Sequence, residues 1–161
     1  MSQAEFDAVL KTPFGAIGVR TEGNAVTEIC FLPPGTKAMI PKNALAKQAC
    51  AQLATYLDNP AAGFDLPLQP AGTPFQRSVW RAIAAIPKGR TLTYGEIAKR
   101  LKSAPRAVGQ ACGRNPYPVV VPCHRVVASD GGLGGFASAT GGYLLDTKRW
   151  LLEHERKSQS R

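Results

Sequence analysis

The amino-acid sequence predicts an α+β fold in two parts, a small N-terminal α/β domain at residues 1–70 and a mostly helical C-terminal domain at residues 71–161. Alternating apolar and polar residues near the N-terminus are typical of strands, whereas helical periodicity and capping residues dominate after residue 72. Between these patterns, Gln69-Pro70-Ala71-Gly72 has the composition of a linker. Apolar residues make up 44% of the chain, which is enough for a hydrophobic core.

The N-terminal part is predicted to be a scaffold. Residues 12–20 and 25–32 predict the two strands of a hairpin, because the Gly-Asn pair between them suits a tight turn. Leucine or alanine recurs every four residues through 44–57, which predicts an amphipathic helix. Residues 64–68 predict a third, edge strand. No charged cluster in this part points to chemistry.

The C-terminal part is predicted to be a series of capped helices. Thr73 is a candidate N-cap with proline after it, and Thr93 is another, with Glu96 three residues later as the partner of a capping box. Pro105 opens a further short helix. Two short helices joined by a tight turn predict a helix-turn-helix. A last helix is expected at about residues 143–156.

Charge and cysteine usage narrow the class of protein. The net charge is +9, which makes a polyanion the candidate partner. The N-terminus has no basic segment leading into an apolar run, and no stretch approaches the ~20 apolar residues of a membrane span, so we expect no membrane association. The four cysteines lack Cys-x-x-Cys spacing and the chain has only two histidines, so no metal site is expected. We expect reduced thiols and a cytoplasmic location.

One segment, from residue 115 to residue 127, concentrates the chemistry. Val119, Val120 and Val121 predict a buried strand that ends at Pro122. Cys123, His124 and Arg125 follow at once, and nearby positive charge lowers a thiol pKa, so we expect Cys123 to be a thiolate nucleophile. A buried core cysteine is the alternative interpretation of the same thiol.

The helix that Pro105 opens is the candidate recognition helix. Alternating alanine and glycine, beginning at Ala107, give it a slim profile that would let its backbone approach a groove. Arg106 lies near its start, where helix amides hold phosphates. Tight packing against a neighbouring helix is the alternative, and we interpret Cys112 as a packing residue.

A cysteine nucleophile needs a base, and the base needs an orienting acid. His124 is the candidate base, but neighbouring strand residues point to opposite faces, so contact with Cys123 would require a water molecule or a turn. Glu155 and Glu153 on the last helix are both candidate acids, and the spacing alone does not separate them.

These motifs together resemble a known family. Pro-Cys-His-Arg-Val at residues 122–126, preceded by Arg-Ala-Val-Gly at 106–109 and Asn-Pro at 115–116, resembles the active-site signature of the O6-alkylguanine-DNA alkyltransferases. Leu-Leu-x-His-Glu at 151–155 matches the family's closing helix. The similarity runs from about residue 72 to residue 155.

The resemblance implies a set of site residues. It maps the family's acid to Glu155, gives a relay of Glu155, His124, a water molecule and Cys123, and makes Asn115 the brace between recognition helix and strand. It implies that Arg106 replaces the extruded nucleotide in the base stack. The predicted contacts to DNA or to the base are Tyr94, Arg106, Ala107, Arg125, Val126, Phe136 and Ser138.

The resemblance also implies a function. Such a protein binds double-stranded DNA, flips out an O6-alkylguanine and transfers the alkyl group irreversibly to Cys123 in a single turnover without a cofactor. O4-alkylthymine as a second substrate and cooperative binding by a monomer are left open. The fold implied is a ribonuclease H-like N-terminal domain followed by a winged-helix-like C-terminal domain. The alternatives are a non-catalytic protein that flags alkylated DNA, a helix-turn-helix regulator and a cysteine hydrolase.

Overall fold

The computed structural model describes residues 5–130, 132–134 and 142–159, with side chains to residue 157. The chain divides into two compact units, Met1–Pro70 and Ala71–Arg161. The described residues form a mixed α/β protein with five α-helices and a small antiparallel sheet, which confirms the α+β prediction. No helix in these ranges is both long enough and apolar enough to cross a membrane.

The first unit contains a three-stranded antiparallel sheet in which β2 lies between β1 and β3. The predicted strand at 25–32 agrees with β3. The predicted strand at 12–20 is wrong in its start, because the chain turns at Pro13 and Phe14 and residues before the turn form a separate strand. The strands are β1 Ala8–Thr12, β2 Gly15–Glu22 and β3 Ala25–Leu32.

One helix, α1 at Ala44–Asp58, packs against β1 and β2. Its N-cap is Asn43, whose side chain accepts a hydrogen bond from the amide of Ala46. The predicted strand at 64–68 is wrong: these residues make only a single bridge, between Leu68 and Val26 of β3. Pro67 has no N–H to donate, which limits pairing there.

The described part of the second unit contains four α-helices, and both predicted N-caps are present. The Thr73 side chain accepts from the amide of Gln76, and the Gln76 side chain accepts from the Thr73 amide, so a full capping box begins α2. Thr93 caps α3 by accepting from the amide of Glu96, as predicted. The Glu96 carboxylate accepts from the Thr93 hydroxyl rather than from its amide. The helices are α2 Pro74–Ala84, α3 Tyr94–Leu101, α4 Pro105–Gly113 and α5 Tyr143–Gln159.

The helices α3 and α4 form the pair that the sequence predicts. They pack on each other across a short turn in which Lys102 adopts the left-handed conformation, with φ 55°. The indole N–H of Trp80 on α2 donates to the carbonyl of Ala111 on α4 at 2.9 Å, which ties α4 to the helix before it. Two short parallel strands, β4 Leu92–Thr93 and β5 Val126–Val127, complete the unit.

The predicted buried strand at residues 119–121 is wrong. Val119 has φ 75°, a conformation that is strained for a β-branched residue. The amide of Val121 donates to the carbonyl of Tyr117, and the amide of Cys123 donates to the carbonyl of Val121. Pro122 at the centre of that last contact has φ −83° and ψ 67°, close to an inverse γ-turn. A single 3-10 turn, Cys123–Arg125, follows.

Replacing Thr73 with alanine should destabilise the second unit by about 1 kcal/mol, because the Gln76 amide at the start of α2 loses the side-chain oxygen that accepts its hydrogen bond. Urea unfolding followed by circular dichroism measures the change. Thr91→Ala, an exposed threonine outside any helix, is the matched control and should shift the midpoint little. An equal shift in both variants would contradict the capping role.

Candidate active site around Cys123

The sulfur of Cys123 is held by the side-chain amide of Asn115. The Nδ2 group of Asn115 donates to Cys123 Sγ at 3.2 Å and to the carbonyl of Val121 at 2.8 Å. Its Oδ1 atom accepts from the amide of Tyr117 at 2.9 Å. Because a carbonyl oxygen must receive a donor and a backbone amide needs an acceptor, this network fixes which end of the Asn115 amide faces the sulfur.

Cys123 is a thiol at rest, which corrects the expectation of a resting thiolate. A hydrogen bond with the Cys112 side chain and burial raise the pKa of the Cys123 thiol well above its usual range. The Asn115 hydrogen bond and the charge of Lys148 act in the opposite direction, but they are the smaller effects. The sequence suggested activation by His124 and Arg125, but both of these side chains are directed at a different partner.

That partner is Glu155, a fully buried carboxylate on α5. His124 Nε2 lies 2.9 Å from Glu155 Oε2. Arg125 donates from Nε to Oε1 and from its terminal nitrogen Nη2 to Oε2, each at 2.8 Å. The other terminal nitrogen of Arg125 donates to the carbonyl of Ile86 at 2.7 Å. The structure therefore brings Glu155 to His124, whereas Glu153 is exposed.

His124 is poised as a neutral ring. Burial lowers the pKa of His124, and the hydrogen bond and charge of Glu155 offset this only in part. Since Nε2 faces an ionised carboxylate, it carries the ring hydrogen, and Nδ1 then has a free lone pair. His124 Nδ1 is buried and has no hydrogen-bond partner among the residues that the structure describes. This atom is suited to accept a proton.

The predicted role of Arg125 is the second expectation that the structure corrects. Its prediction as a contact to DNA or base requires an available guanidinium, but the side chain is buried, with 6% of its surface exposed. Its donors are directed at Glu155 and at the end of α2. A buried ion pair with this geometry is not open to a phosphate.

Tyr94 and Lys148 lie next to the thiol. Burial, and then the negative charge that the Cys112 and Cys123 sulfurs carry when ionised, raise the pKa of the Tyr94 phenol, so it stays a hydrogen-bond donor. The Lys148 ammonium lies 5.8 Å from the centre of the Tyr94 ring and donates to the carbonyl of Leu133. Desolvation lowers the pKa of Lys148 to about 8.

Glycine is required where the loop meets the Tyr94 ring. Gly134 has φ +69°, and a Cβ atom there would lie 2.9 Å from the ring. Gly109 on α4 approaches the same ring, with a Cβ position 4.0 Å away. Tyr94 is therefore held between α4 and the loop before α5.

The remaining predicted residues fall into three groups. Arg106 is exposed and Ala107 is half-buried, both in the first turn of α4. Val126 is buried in β5, and its amide donates to the carbonyl of Cys123. Phe136 and Ser138 lie outside the described residues.

Sequence reasoning gave no chemical role to Cys112 or Lys148, although both act on the Cys123 thiol. A helical period could have indicated Lys148, because it precedes Glu155 by seven residues and two helical turns bring them to one face. No comparable pattern marks Cys112, since its contact with Cys123 depends on the turn at Pro122. Within the described ranges, no three His, Cys, Asp or Glu side chains are grouped to hold a metal ion.

Fold and site together define a class of protein: a mixed α/β chain in which a buried cysteine, oriented by an asparagine, precedes a His–Glu–Arg cluster beside two short paired helices. Residues 74–157 match the family model described as "6-O-methylguanine DNA methyltransferase, DNA binding domain".

Similar proteins extend the match to most of the chain. The methylated-DNA–protein-cysteine methyltransferase of Methanosarcina mazei is 40% identical over 154 residues, which cover 91% of this chain and 94% of that protein. The protein of the same name from Mycobacterium leprae is 36% identical, covering 91% and 90%. The crystal structure of Mycobacterium tuberculosis OGT in complex with DNA has a TM-score of 0.78 at 35% identity, covering 93% and 92%. This chain belongs to the methylated-DNA–protein-cysteine methyltransferase family.

Replacing Cys112 with alanine should lower the pKa of Cys123, because its hydrogen bond is the largest cause of the upward shift. The Cys123 thiolate should then form at lower pH. The measurement is the pH dependence of alkylation by a small thiol reagent, followed at the Cys123 peptide by mass spectrometry. Cys50→Ala, in the other unit, is the matched control and should leave the profile unchanged. An unaltered profile in Cys112→Ala would contradict the effect assigned to the Cys112 hydrogen bond.

Proposed function

We propose that this protein repairs DNA by direct reversal, transferring the alkyl group of an O6-alkylguanine to the sulfur of Cys123. The observation that carries the proposal is the cysteine itself, held by Asn115 and followed by the buried His124–Glu155 pair. It occurs in a chain whose family is named for transfer to cysteine. The alkylated DNA is the alkyl donor, so no cofactor is needed.

The chemistry follows from the resting state of the thiol. His124 Nδ1 accepts the Cys123 proton through a bridging water molecule while Glu155 stabilises the imidazolium that forms. The sulfur then attacks the alkyl carbon, the bond from that carbon to O6 breaks, and its electron pair stays on the guanine. A proton returns to the guanine from Tyr94 or His124, so the net transfer is one alkyl group to sulfur and one proton to the base.

The reaction ends after one turnover. A thioether has no leaving group that water displaces easily, so alkylated Cys123 does not regenerate. Each molecule therefore acts once, and the expected stoichiometry is one alkyl group per chain. A cysteine hydrolase would instead turn over many times.

DNA binding is assigned to α4 and to the basic charge of the chain. The net charge of +9 favours a polyanion. The half-buried Ala107 and exposed Arg106 suit a helix that lies in the minor groove and inserts one side chain into the base stack. Flipping a damaged base costs only a few kcal/mol, because an alkylated guanine pairs poorly.

The flipped base is proposed to bind beside Tyr94. The half-buried ring of Tyr94 offers a surface on which the base can stack, and its phenol stays protonated. The carbonyls of Cys123 and Val126 would accept from the guanine amine, and Phe136 and Ser138 are proposed for the loop that contacts O6. O4-alkylthymine stays a candidate second substrate for the same pocket.

The finer features of the fold are part of this proposal. Residues 1–70 would be a ribonuclease H-like scaffold, and residues 71–161 a winged-helix-like domain that binds DNA and carries the chemistry. We propose a monomer, with cooperative binding on DNA left to experiment. The four free cysteines fit a reducing, cytoplasmic location.

Incubation with a duplex that contains O6-methylguanine should increase the intact mass of the protein by one methyl group, located on the Cys123 peptide. Cys123→Ser should gain nothing, whereas Cys112→Ala should still gain it, because the acceptor sulfur remains. Intact-mass spectrometry at equimolar and excess DNA measures the stoichiometry. Binding without a mass gain would support a non-catalytic lesion-binding protein, and turnover in excess of protein would support a hydrolase.

Replacing Arg106 with alanine should slow methyl transfer from duplex DNA by about 10- to 100-fold, or about 1.4 to 2.8 kcal/mol, since the flipped state loses the residue that fills the base stack. Reaction with free O6-benzylguanine should be almost unchanged, because no base has to be flipped. Single-turnover rates on both substrates measure the difference. Lys99→Ala, an exposed cation on α3, is the control, and equal losses on both substrates would refute the finger role.

A further inference from the structure

Arg125 forms a two-pronged contact with the carboxylate that His124 also uses. Its Nε and one terminal nitrogen each reach a different oxygen of Glu155 at 2.8 Å, and His124 Nε2 shares Oε2 at 2.9 Å. All three side chains are buried. Parallel N–H donors on a carboxylate fix its plane as well as its distance.

The charge of Arg125 keeps Glu155 ionised inside the protein. A guanidinium does not lose its proton under ordinary conditions, so the buried carboxylate always has a compensating charge. Without it, Glu155 would keep the neutral imidazole but lose its contact cation, and a buried charge without such compensation is costly. Glu155 would then take up a proton itself or draw one to His124.

The charged groups of the described residues that face His124 shift its pKa in opposite directions. Glu155 favours the protonated ring, whereas Arg125 and Lys148 disfavour it. Lys88, from the turn after α2, faces the Arg125 and Glu155 pair. Burial is the largest cause that lowers the His124 pKa and the charge of Arg125 adds to it, so His124 rests as a neutral ring, with its hydrogen on the Nε2 atom that faces Glu155.

We propose that Arg125 is a positioning residue for alkyl transfer, one that holds Glu155 ionised and in plane so that Nδ1 of His124 is the atom that receives the Cys123 proton. This inference rests on the function proposed above. It gives the Arg of the Pro-Cys-His-Arg segment a role in proton transfer instead of the DNA contact predicted from sequence. The hydrogen bond from Arg125 to the Ile86 carbonyl extends the same network to the end of α2.

Two substitutions separate the charge of Arg125 from its geometry. Arg125→Lys keeps a cation but loses the two parallel N–H donors, so the single-turnover rate with free O6-benzylguanine should fall on the order of 10- to 100-fold. The acid limb of its pH–rate profile should stay near that of the wild type. Arg125→Met also removes the charge, so the Glu155–His124 pair should take up a proton more readily. The acid limb of its pH–rate profile should move upward by about one pH unit or more.

Arg149 offers matched controls on α5. It pairs with Asp146 at 3.1 Å, but both side chains are exposed. Arg149→Lys and Arg149→Met should therefore leave both the rate and the pH profile unchanged. Thermal unfolding of all four variants shows which of them are folded before rates are compared.

A measurement on the unsubstituted protein keeps the inference testable if neither Arg125 variant folds. The chain has two histidines, so nitrogen-15 NMR with a His154→Gln variant assigns the His124 ring. We expect a neutral ring protonated at Nε2 near pH 7. A charged ring, or hydrogen on Nδ1, would overturn the role of Arg125.

The outcomes for the two proposals are distinguishable. If the wild-type protein gains no methyl group, the proposed function fails whatever the NMR result. If it is methylated but Arg125→Lys and Arg125→Met keep the wild-type rate and pH profile, the role of Arg125 is refuted and the repair function stands.

Discussion

A carboxylate that is 1% exposed must be compensated, and much of the site follows from how this protein compensates Glu155. Arg125 supplies a permanent cation at contact distance from Glu155, and its side chain is therefore held inside the protein. His124 Nε2 also contacts this carboxylate, which orients the imidazole ring and leaves Nδ1 without a hydrogen-bond partner among the described residues. The 3-10 turn at Cys123–Arg125 is the backbone conformation that places the His124 and Arg125 side chains on this carboxylate.

The Cys123 sulfur does not contact the Arg125–Glu155 ion pair. The Cys112 hydrogen bond and burial raise the pKa of the Cys123 thiol and outweigh the Asn115 hydrogen bond, which lowers it, so the sulfur stays protonated. A buried thiol is far less reactive than an exposed thiolate, which suits a residue that can be used only once. In the proposed mechanism, activation depends on the proton reaching His124, so proton transfer and alkyl transfer are coupled in one site.

Local rules predicted the helices and failed where distant contacts decide. Thr73 and Thr93 were identified because a cap and its partner lie within three residues. The three valines from residue 119 have strand propensity, but Pro118 and Pro122 on either side have no backbone N–H to donate to a neighbouring strand. The contact of Arg125 with Glu155 was not predicted, because the two residues are 30 positions apart and local patterns do not reveal where α5 lies.

The predicted strand and the predicted DNA contact of Arg125 are wrong for the same reason, namely the backbone conformation of this segment. In an extended strand, His124 and Arg125 would point to opposite faces, and no single carboxylate could bind both. In the 3-10 turn, successive side chains are about 120° apart, and a carboxylate with two oxygens can bridge them. The prolines that prevent the strand thus permit the cluster, and the adjacency of His124 and Arg125 in sequence becomes a shared contact with Glu155 instead of a contact with the thiol.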